Sequence, residues 1–343
     1  MSDDKPLVLS DPTPRTLDLM FTPEDLAELK SIARLVHHEE TRMPDDMVDE
    51  HLPDATFVMG QTDLPRERLE RAGRLKAIFN VEGNFRQNID YDYCFRNGIH
   101  VLAVSPVFAH VVAEMALGMA LASARGIVSA DRAFREGREL YEMTGNWDAA
   151  LLQESDVGLI GFGDLARAFL PLIAPFRCKV KVYDPWLPDH FLRSHGCQPA
   201  TLDDVLSTSR FIFVFATVTA ENQGFLGRRE FELIQKGSFF MLMSRAAVVD
   251  FDAFIEAIEG GRFFAATDVF PEEPVPPDHP VRKVEGLILS AHRAGALDPV
   301  FKRMGEFVVG DMKQMLAGLP PVACKRAERE TVVRMRSMSV EKQ

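Results

Sequence analysis

Residues 157–184, with the sequence VGLIGFGDLARAFLPLIAPFRCKVKVYD, constrain the fold of this chain more than any other stretch. An apolar run leads into a glycine turn, a helical pattern follows over 164–176, and an alternating run over 179–183 ends on an acidic residue. Strand, tight turn, helix and strand in this order indicate a βαβ unit, which needs a parallel sheet. The stretch therefore predicts a doubly wound α/β domain with a dinucleotide site at the turn. The open alternative is a glycine turn inside some other parallel α/β domain.

The individual positions of the turn fit a bound dinucleotide. Gly161 allows the sharp turn, and Gly163 leaves room where a pyrophosphate must approach the backbone. Ala166, at the third position of the fingerprint, lets the helix pack closely against the strand. Asp184 lies 21 residues after Gly163, where a carboxylate can bind an adenosine ribose and would repel a 2′-phosphate. The predicted cofactor is therefore NAD rather than NADP.

The first helical turn after the glycines contains Asp164 and Leu165, whose N–H groups are expected to face the phosphates at the positive end of the helix dipole. The Asp164 carboxylate is unusual at this position. Two negative groups about 5 Å apart repel by about 3 kcal/mol at an effective dielectric constant of about 20. We expect this side chain to point to solvent, so that Asp164 contributes only its backbone N–H.

Length and charge restrict the number of domains and the partners. At 343 residues two domains are expected, and the net charge of −12 argues against nucleic acid and anionic membrane surfaces as partners. The start of the chain lacks a signal-peptide pattern, and no uninterrupted apolar stretch is long enough to span a bilayer, so a cytoplasmic location is expected. The four cysteines lack CxxC spacing and are interpreted as packing residues, with no metal site: Cys94, Cys178, Cys197 and Cys324.

The N-terminal part, residues 6–104, alternates apolar runs with helical patterns, which predicts a small α/β domain of its own. Strands are expected at PLVLS, ATFVMG, the run ending at Phe79, and GIHVLAV. A helix starting near Thr22 is expected over the pattern TPEDLAELKSIARLV. The loop 81–85, VEGNF, follows a strand, where open α/β sheets bind ligands. Spacing alone leaves open whether this loop is functional or an ordinary turn.

The second half of the chain continues the α/β pattern. A long helix is expected from about His110 to Ala124, with a break at Gly126 and a continuation towards Leu140. Strands are expected over 210–217, 237–244, 262–270 and 287–290, and helices over 202–209, 252–258 and 299–316. The segment RFIFVFAT is apolar throughout, which is typical of a strand buried on both faces. From Cys324 onward the chain is charged and is interpreted as a frayed or solvated tail, or as an oligomer contact.

Three ionisable residues come directly after predicted strands: Arg245, Glu273 and His292. Since the carboxyl ends of parallel strands meet at one edge of a sheet, these side chains are expected to converge where nicotinamide would lie. Hydride transfer to a carbonyl carbon needs a proton donor, which His292 can be because histidine titrates near neutrality. Glu273 can keep that histidine protonated and oriented. Arg245 can hold a carboxylate in a bidentate fork.

Each of these residues also has a purely structural interpretation. Arg245 could cap a strand end, Glu273 could be one solvated acid in an acidic loop, and His292 could be hydrogen-bonded under a turn. Asp268 is placed within its own strand, where it could accept from the nicotinamide carboxamide or cap the following turn. Further cofactor contacts are expected at the ends of strands, from Thr217, Thr219, Ser244 and Gly295.

Several segments, in the same order along the chain, resemble the D-2-hydroxyacid dehydrogenase family, whose members include phosphoglycerate, D-lactate and glycerate dehydrogenases. They are GIHVLAVSPVFAHVVAEMALGMAL, VGLIGFGDLARAF with YDP, TAEN, SRAAVVD, TDVFPEEP and SAHRAG. The resemblance implies two Rossmann-like lobes, an NAD-binding doubly wound parallel sheet inserted into a flavodoxin-like substrate lobe. It implies a substrate lobe at 1–109 and 298–330, an NAD-binding domain at 110–297 and a C-terminal tail at 331–343. It also implies a homodimer formed through the NAD lobes, and no metal.

The resemblance also assigns roles to single residues. It implies that Arg245 binds the substrate carboxylate, that His292 is the acid/base and that Glu273 pairs with it. It implies that Asp268 accepts a hydrogen bond from the nicotinamide amide and that Asp184 is the acid that binds the ribose.

The loop 81–85 matches a family loop whose backbone N–H groups hold the substrate carboxylate, which assigns to substrate binding Glu82, Gly83 and Asn84. It departs from the family pattern because it carries an acid and a ring, Glu82 and Phe85, that are expected near the site. An acid there would disfavour a second anionic group on the substrate unless Arg86 neutralises it, so phosphoglycerate is not expected as the substrate. Phe85 and Phe108 are expected to help shape the cleft.

The sequence therefore predicts an NAD-dependent oxidoreductase that interconverts a small-molecule 2-oxo acid and a D-2-hydroxy acid. One alternative is a formate or phosphite dehydrogenase of the same family. A formate enzyme of this kind pairs its histidine with glutamine, so Glu273 argues against it, whereas phosphite oxidation keeps the glutamate. The other alternative is a non-catalytic NAD-sensing protein of the same fold, which the acidic surface and the lack of an added interaction module disfavour.

Overall fold

The computed structural model describes residues 5–38 and 40–334, which fold as two compact units. The first unit contains the described residues up to Phe108 and those from Ala296 onward, and the second is Ala109–Gly295. Each unit has its own sheet, as two Rossmann-like lobes require.

Six strands form the sheet of the first unit: β1 (Leu7–Asp11), β2 (Arg34–His37), β3 (Ala55–Gly60), β4 (Ala77–Asn80), β5 (His100–Ala103) and β13 (Lys325–Arg326). They lie in the order β13-β5-β4-β3-β1-β2. The first five are parallel and follow the 2-1-3-4-5 order of flavodoxin-like sheets, while β13 pairs antiparallel to β5 at the edge. The predicted flavodoxin-like lobe is confirmed.

The helices of this unit are α1 (Leu17–Met20), α2 (Pro23–Ile32), α3 (Asp45–His51), α4 (Arg66–Leu69), α5 (Tyr91–Asn97) and α13 (Asp298–Leu316). Helix α2 begins where expected, because the Thr22 hydroxyl accepts from the Asp25 N–H at 3.1 Å. The helix ends earlier than the sequence pattern predicts. The predicted helix over 22–36 stops at Ile32, and Arg34–His37 forms β2 beside β1. As a partly exposed edge strand, β2 lacks the apolar run that would have marked it.

Seven strands form the sheet of the second unit: β6 (Asp156–Ile160), β7 (Lys179–Tyr183), β8 (Gln198–Pro199), β9 (Phe211–Val214), β10 (Ser238–Leu242), β11 (Phe263–Thr267) and β12 (Leu287–Leu289). All pairings are parallel, in the order β12-β11-β10-β9-β6-β7-β8, which is the predicted doubly wound sheet. The helices are α6 (Ala109–Ala124), α7 (Ile127–Arg135), α8 (Asp164–Ile173), α9 (Asp189–Ser194), α10 (Leu202–Thr208), α11 (Arg228–Leu233) and α12 (Phe251–Glu259).

The centre of this sheet is buried on both faces, as the apolar run RFIFVFAT predicts. Every residue of β9 and β10 is buried. Phenylalanines on the two strands stack across the sheet, with the Phe211 and Phe239 rings 5.0 Å apart. On the other face Phe240 packs in a cluster with Phe231 and Phe254. Aromatic side chains bury large apolar areas, so this core holds the strand ends in register.

The segment Ser105–Ala124 is long and apolar enough to cross a membrane by length and composition alone, with 44% of its most apolar window buried in the protein. Its main part, α6, packs against α8 and against β10 and β11. These contacts explain the apolar composition as that of a core helix. The helix breaks at Gly126 as expected, but α7 ends at Arg135 instead of continuing towards Leu140.

The segment after Cys324 is not a solvated tail over its described part. Lys325 and Arg326 form β13, and Ala327 and Val332 are buried in the core of the first unit. The Arg329 guanidinium lies 5.5 Å from the centre of the Phe95 ring. The few apolar side chains that reach the core are separated by charged residues, so the sequence shows no apolar pattern that would predict this packing. The predicted tail from residue 335 onward lies outside the described residues.

The cysteines are free thiols, and three of them are buried: Cys94, Cys197 and Cys324. Burial raises the pKa of Cys94 to about 12 and that of Cys197 to about 11. Both therefore remain neutral near pH 7, as expected for packing residues.

Candidate active site

The carboxyl ends of β6 and β9 form the switch point of the second unit's sheet. From β6 the chain winds outward through β7 and β8, then returns to β9 on the other side of β6. Loops that leave such neighbouring strands in opposite directions open a crevice at the strand ends. Gly161 follows β6 and Ala216 follows β9, so the predicted dinucleotide turn lies at this crevice.

The turn has the shape that a pyrophosphate needs. Gly161 has φ +89°, and a Cβ on it would lie 2.6 Å from Ala216 Cα, so only glycine fits. A Cβ built on Gly163 would meet nothing within 4 Å, which leaves open space directly at the N-terminus of α8. Ala166 is fully buried where the helix meets the sheet, and Leu165 beside it is half-buried. The residues present therefore fit a dinucleotide phosphate at this helix end.

Asp184 connects the end of β7 to the glycine turn. Its Oδ2 accepts from the Phe162 N–H at 2.7 Å, and its Oδ1 accepts from the Trp186 N–H at 2.9 Å. Each carboxylate oxygen keeps a second lone pair for a ribose hydroxyl. The predicted ribose acid is thus fixed to the backbone of the phosphate turn.

Asp164 does not point to solvent as predicted. Its Oδ1 lies 2.5 Å from Arg167 Nη2, one helical turn along α8, and its side chain is 29% exposed. The carboxylate therefore folds back along the helix and is neutralised by an (i, i+3) ion pair. Since the two opposite charges cancel, Asp164 repels a phosphate bound at this helix end less than an isolated carboxylate would.

The ends of β10, β11 and β12 carry the three predicted ionisable residues. Arg245 follows β10, Glu273 follows β11 and His292 follows β12, and these strands are neighbours in the sheet. His292 Nδ1 lies 2.5 Å from Glu273 Oε2, and Glu273 Oε1 accepts from the Phe270 N–H at 2.9 Å. The side chain of His292 remains 45% exposed. A carboxylate therefore orients this histidine while leaving the ring accessible.

Arg245 and its neighbour line the end of β10. Arg245 is half-buried, and its Nη1 donates to the Ser244 carbonyl at 2.8 Å. The Ser244 hydroxyl is buried and has no hydrogen-bond partner among the described residues. A buried unpaired hydroxyl at this edge fits a polar group of a bound cofactor. After β9, the Asn222 side chain donates to the Thr217 carbonyl at 2.8 Å and accepts from the Thr219 N–H at 2.7 Å, which fixes that loop.

Asp268 lies immediately after β11, which ends at Thr267, and not within a strand as predicted. Its side chain is buried, and its two oxygens accept from the N–H groups of Arg293 and Ala294 at 2.9 Å each. The half-buried Gly295 follows these residues. Asp268 therefore holds the turn that carries His292.

The loop 81–85 lies in the first unit, after β4. The predicted acid, Glu82, pairs with Arg15 at 3.3 Å, and Arg15 Nε also donates to the Val81 carbonyl at 2.7 Å. Arg15 comes from the loop between β1 and α1, and its side chain is only 15% exposed. Its guanidinium lies 4.9 Å from the centre of the Phe301 ring. The cation that neutralises Glu82 is therefore Arg15, not Arg86.

The loop differs from the prediction in two further ways. Phe85 is buried in the core of the first unit, edge-on to Tyr91, and is not a ring of the site. The Glu82 N–H donates to Asn80 Oδ1 at 2.8 Å and the Phe85 N–H donates to Asn84 Oδ1 at 2.9 Å. These two N–H groups are therefore already bound to side chains of the first unit.

Sequence reasoning missed two residues of the site, Arg15 and Arg167, and only Arg15 lacks a local signal. Arg15 and Glu82 are 67 residues apart, and only the common edge of a parallel sheet brings their loops together. Arg167 could have been found, because an arginine three residues after an acid on a predicted helix is a standard ion pair.

A family model described as the D-isomer specific 2-hydroxyacid dehydrogenase, NAD binding domain, matches residues 117–294. A glyoxylate reductase from Korarchaeum cryptofilum is 28% identical over 275 residues, which cover 78% of this chain and 81% of that protein. A D-3-phosphoglycerate dehydrogenase from Archaeoglobus fulgidus is 29% identical over 269 residues, which cover 78% of this chain and 50% of that protein.

Solved structures extend the likeness to nearly the whole chain. The crystal structure of a phosphoglycerate oxidoreductase from Rhizobium etli has 49% sequence identity and a TM-score of 0.86, and the match covers 96% of this chain and all of that one. The PH0520 protein from Pyrococcus horikoshii, at 24% identity and a TM-score of 0.76, shares the fold.

The Asp164–Arg167 pair makes a prediction for cofactor affinity. Arg167→Gln removes the ion pair that offsets the Asp164 charge beside the phosphates, and we expect NADH to bind about tenfold more weakly, because solvent screens part of the repulsion. The double variant Asp164→Asn/Arg167→Gln should return to near the wild-type affinity. Fluorescence titration of NADH at low and high salt measures both.

The matched control is Arg193→Gln, which breaks an exposed ion pair with Asp189 on α9 of the same unit. It should bind NADH like the wild type. An Arg167→Gln protein with unchanged affinity at low salt would contradict the neutralising role of Arg167.

Proposed function

Because the chain belongs to the D-isomer specific 2-hydroxyacid dehydrogenase family, we propose that it interconverts a 2-oxo acid and a D-2-hydroxy acid. Family membership makes it an oxidoreductase whose second unit binds NAD(H). The observation that carries the proposal is the 2.5 Å contact between His292 Nδ1 and Glu273 Oε2 at the carboxyl edge of that unit's sheet. A histidine oriented by a carboxylate and accessible to a ligand is the acid/base that carbonyl reduction needs.

His292 is proposed to move the proton through Nε2. Since Glu273 accepts from Nδ1, that nitrogen carries a hydrogen, and Nε2 is left to exchange a proton with the substrate oxygen. When bound, NADH supplies the hydride for the reduction. The protonated Nε2 donates to the oxygen of the reacting carbonyl, and Glu273, bound to Nδ1, holds the ring in the orientation for this transfer. In the oxidative direction Nε2 accepts the hydroxyl proton.

Arg245 is proposed to bind the substrate carboxylate. It lies in the turn after β10, where its Nη1 donates to the Ser244 carbonyl. A guanidinium can hold a carboxylate through two parallel hydrogen bonds, which fixes the orientation of the neighbouring carbonyl. Asp184 is proposed to favour NADH over NADPH, because its ionised carboxylate would face a 2′-phosphate.

The first unit's part in substrate recognition is proposed to lie in the loop 81–85, through the Gly83 N–H and the Glu82 side chain. The Arg15–Glu82 pair makes this loop electrically neutral. The sequence-based argument against a substrate with a second anionic group therefore no longer holds. Relatives named glyoxylate reductase and phosphoglycerate dehydrogenase support small 2-oxo acids, with or without a phosphate group, as the substrate class.

The protein is proposed to form a homodimer through residues 127–151 of the second unit, which we call the exposed arm. None of the residues of α7 in this arm is buried. Large apolar side chains along it face solvent: Ile127, Phe134, Leu140, Tyr141, Met143, Trp147 and Leu151. So many exposed large apolar side chains within one segment favour a protein contact there, and a second copy fits because the family resemblance implies a homodimer through this lobe.

A cytoplasmic location is also proposed, since the described cysteines are unpaired thiols, as in a reducing compartment.

The proposed activity is tested first with purified protein, NADH and a panel of 2-oxo acids that includes glyoxylate, hydroxypyruvate, phosphohydroxypyruvate and branched or aromatic members. We expect NADH oxidation on at least one of them, with NADPH used less well. His292→Gln should lower kcat by about 100-fold or more, because general acid catalysis is lost, with little change in NADH affinity.

Equal losses of turnover and NADH affinity in His292→Gln would indicate a folding defect instead of lost proton transfer. If the wild type binds NADH but reduces no member of the panel, the proposed substrate class is wrong. Phosphite oxidation is the next reaction to measure in that case.

The Arg15–Glu82 pair predicts opposite changes in substrate preference. Glu82→Gln leaves Arg15 as a net positive charge, and the ratio of kcat/KM for phosphohydroxypyruvate to that for glyoxylate should rise by about tenfold. Arg15→Met leaves Glu82 unpaired, and the same ratio should fall by about tenfold. Steady-state kinetics with the two substrates measures the ratio.

Arg68→Met is the matched control, since Arg68 is another largely buried arginine of the first unit, paired with Asp45 and Asp49. Its loss should lower stability without changing the substrate ratio. A ratio that moves in the same direction in Glu82→Gln and Arg15→Met would rule out the charge explanation.

The exposed arm predicts the oligomeric state. Trp147, at 74% exposure, and Leu140, at 70%, are its most exposed apolar side chains. The variant Leu140→Glu/Trp147→Glu should be monomeric, because two buried charges at each half of the contact are unfavourable. Sedimentation velocity of the wild type and the variant checks this. The control Leu319→Glu changes an exposed leucine of the first unit and should stay dimeric, and a monomeric wild type would overturn the proposal.

A further inference from the structure

The backbone of His292 has an unusual conformation. Its φ is +51°, in the left-handed region that residues with a side chain rarely adopt. Histidine has no glycine-like freedom there, so the surrounding structure must hold this residue in place. The side chain is 45% exposed, so packing around the ring does not supply the constraint.

The constraint comes from Asp268. The His292 N–H donates to the Asp268 carbonyl at 2.8 Å. The next two N–H groups, of Arg293 and Ala294, donate to Asp268 Oδ1 and Oδ2 at 2.9 Å each. Three consecutive N–H groups, at 292–294, thus donate to Asp268. A run of N–H groups in a turn binds an anion favourably, and here the anion is the Asp268 carboxylate. Asp268 itself is 2% exposed, so water does not compete for these bonds.

We propose that Asp268 is a positioning residue that fixes His292 in its left-handed turn and thereby sets the direction of the imidazole. The inference rests on the proposed acid/base role of His292. Asp268 was predicted from the sequence either to accept from the nicotinamide amide or to cap a turn. Each of its oxygens accepts from an N–H group of the histidine turn, so losing the carboxylate disturbs His292 directly, whether or not the remaining lone pairs also bind the nicotinamide amide.

Asparagine is the informative replacement at this position. An amide offers one acceptor oxygen, and its NH₂ group would face the N–H that the second carboxylate oxygen binds. The turn then loses one of its two side-chain hydrogen bonds, and His292 is free to relax towards a common backbone conformation. A displacement of about 1 Å at a catalytic group lowers turnover by about 100-fold, so we expect a fall of this size in kcat.

The test compares NADH with reduced 3-acetylpyridine adenine dinucleotide, whose methyl ketone lacks the NH₂ donor of nicotinamide. If Asp268 acts through His292, Asp268→Asn should lower kcat by the same factor with both cofactors. The dissociation constant of NADH, measured by fluorescence, should change less than threefold, which is small against a tenfold step in affinity. If Asp268 acts on the amide, the loss should occur with NADH and disappear with the analogue, which would overturn the inference.

Asp311 provides the matched control, because it is another fully buried aspartate whose oxygens accept from three successive N–H groups, at 322–324 in the first unit. Asp311→Asn should lower the melting temperature but leave kcat unchanged. If Asp268→Asn fails to fold, Asp268→Ser keeps one acceptor without an opposing NH₂ group and is measured in the same way. A wild type that reduces no 2-oxo acid contradicts the proposed function, whereas an active wild type with an amide-dependent loss contradicts only the inference.

Discussion

The approach of β6 to β9 is the constraint on which the second unit depends. The strands are so close at their carboxyl ends that a Cβ on Gly161 would lie 2.6 Å from Ala216 Cα. Only glycine fits at this position, and its φ of +89° allows the chain to turn sharply after β6. The turn directs the N-terminus of α8 into the crevice. The remaining strands lie on either side of this pair and run parallel to it. The loop that follows each strand therefore lies at the carboxyl edge of the sheet. Arg245, Glu273 and His292 follow β10, β11 and β12 for this topological reason, although they are far apart in sequence.

Local acids and arginines are matched in pairs at both predicted ligand-binding edges. Asp164 is paired with Arg167 at the phosphate turn, and Glu82 is paired with Arg15 at the loop after β4. In a protein with a net charge of −12, an anionic ligand would otherwise meet an unfavourable field. Pairing removes the nearest repulsion without requiring a net positive cleft. The two charges of each pair are in contact, so the local field near the ligand depends mainly on these two side chains and less on the net charge of the protein.

Much of the fold could be predicted from the sequence, because buried strands and glycine turns leave strong local signals. The strands β9 and β10 are apolar throughout, and the fingerprint from β6 to Asp184 has a fixed spacing. The edge strand β2 was missed since it is partly exposed and continues a helical pattern. Phe85 was misplaced because nothing local distinguishes a ring that faces a core from one that faces a ligand. The pairing of Arg15 with Glu82 depends on tertiary structure alone, and no spacing rule could have found it.

The hydrogen bond between Asp184 and the Phe162 N–H has a consequence for engineering the cofactor preference. The residue that would be exchanged to accommodate a 2′-phosphate also fixes the backbone of the phosphate turn. The proposed ribose discrimination and the geometry of the turn therefore depend on the same side chain, and a charge swap at position 184 would alter both at once. A redesign would have to replace the lost backbone anchor with a second substitution before the new specificity could be expressed.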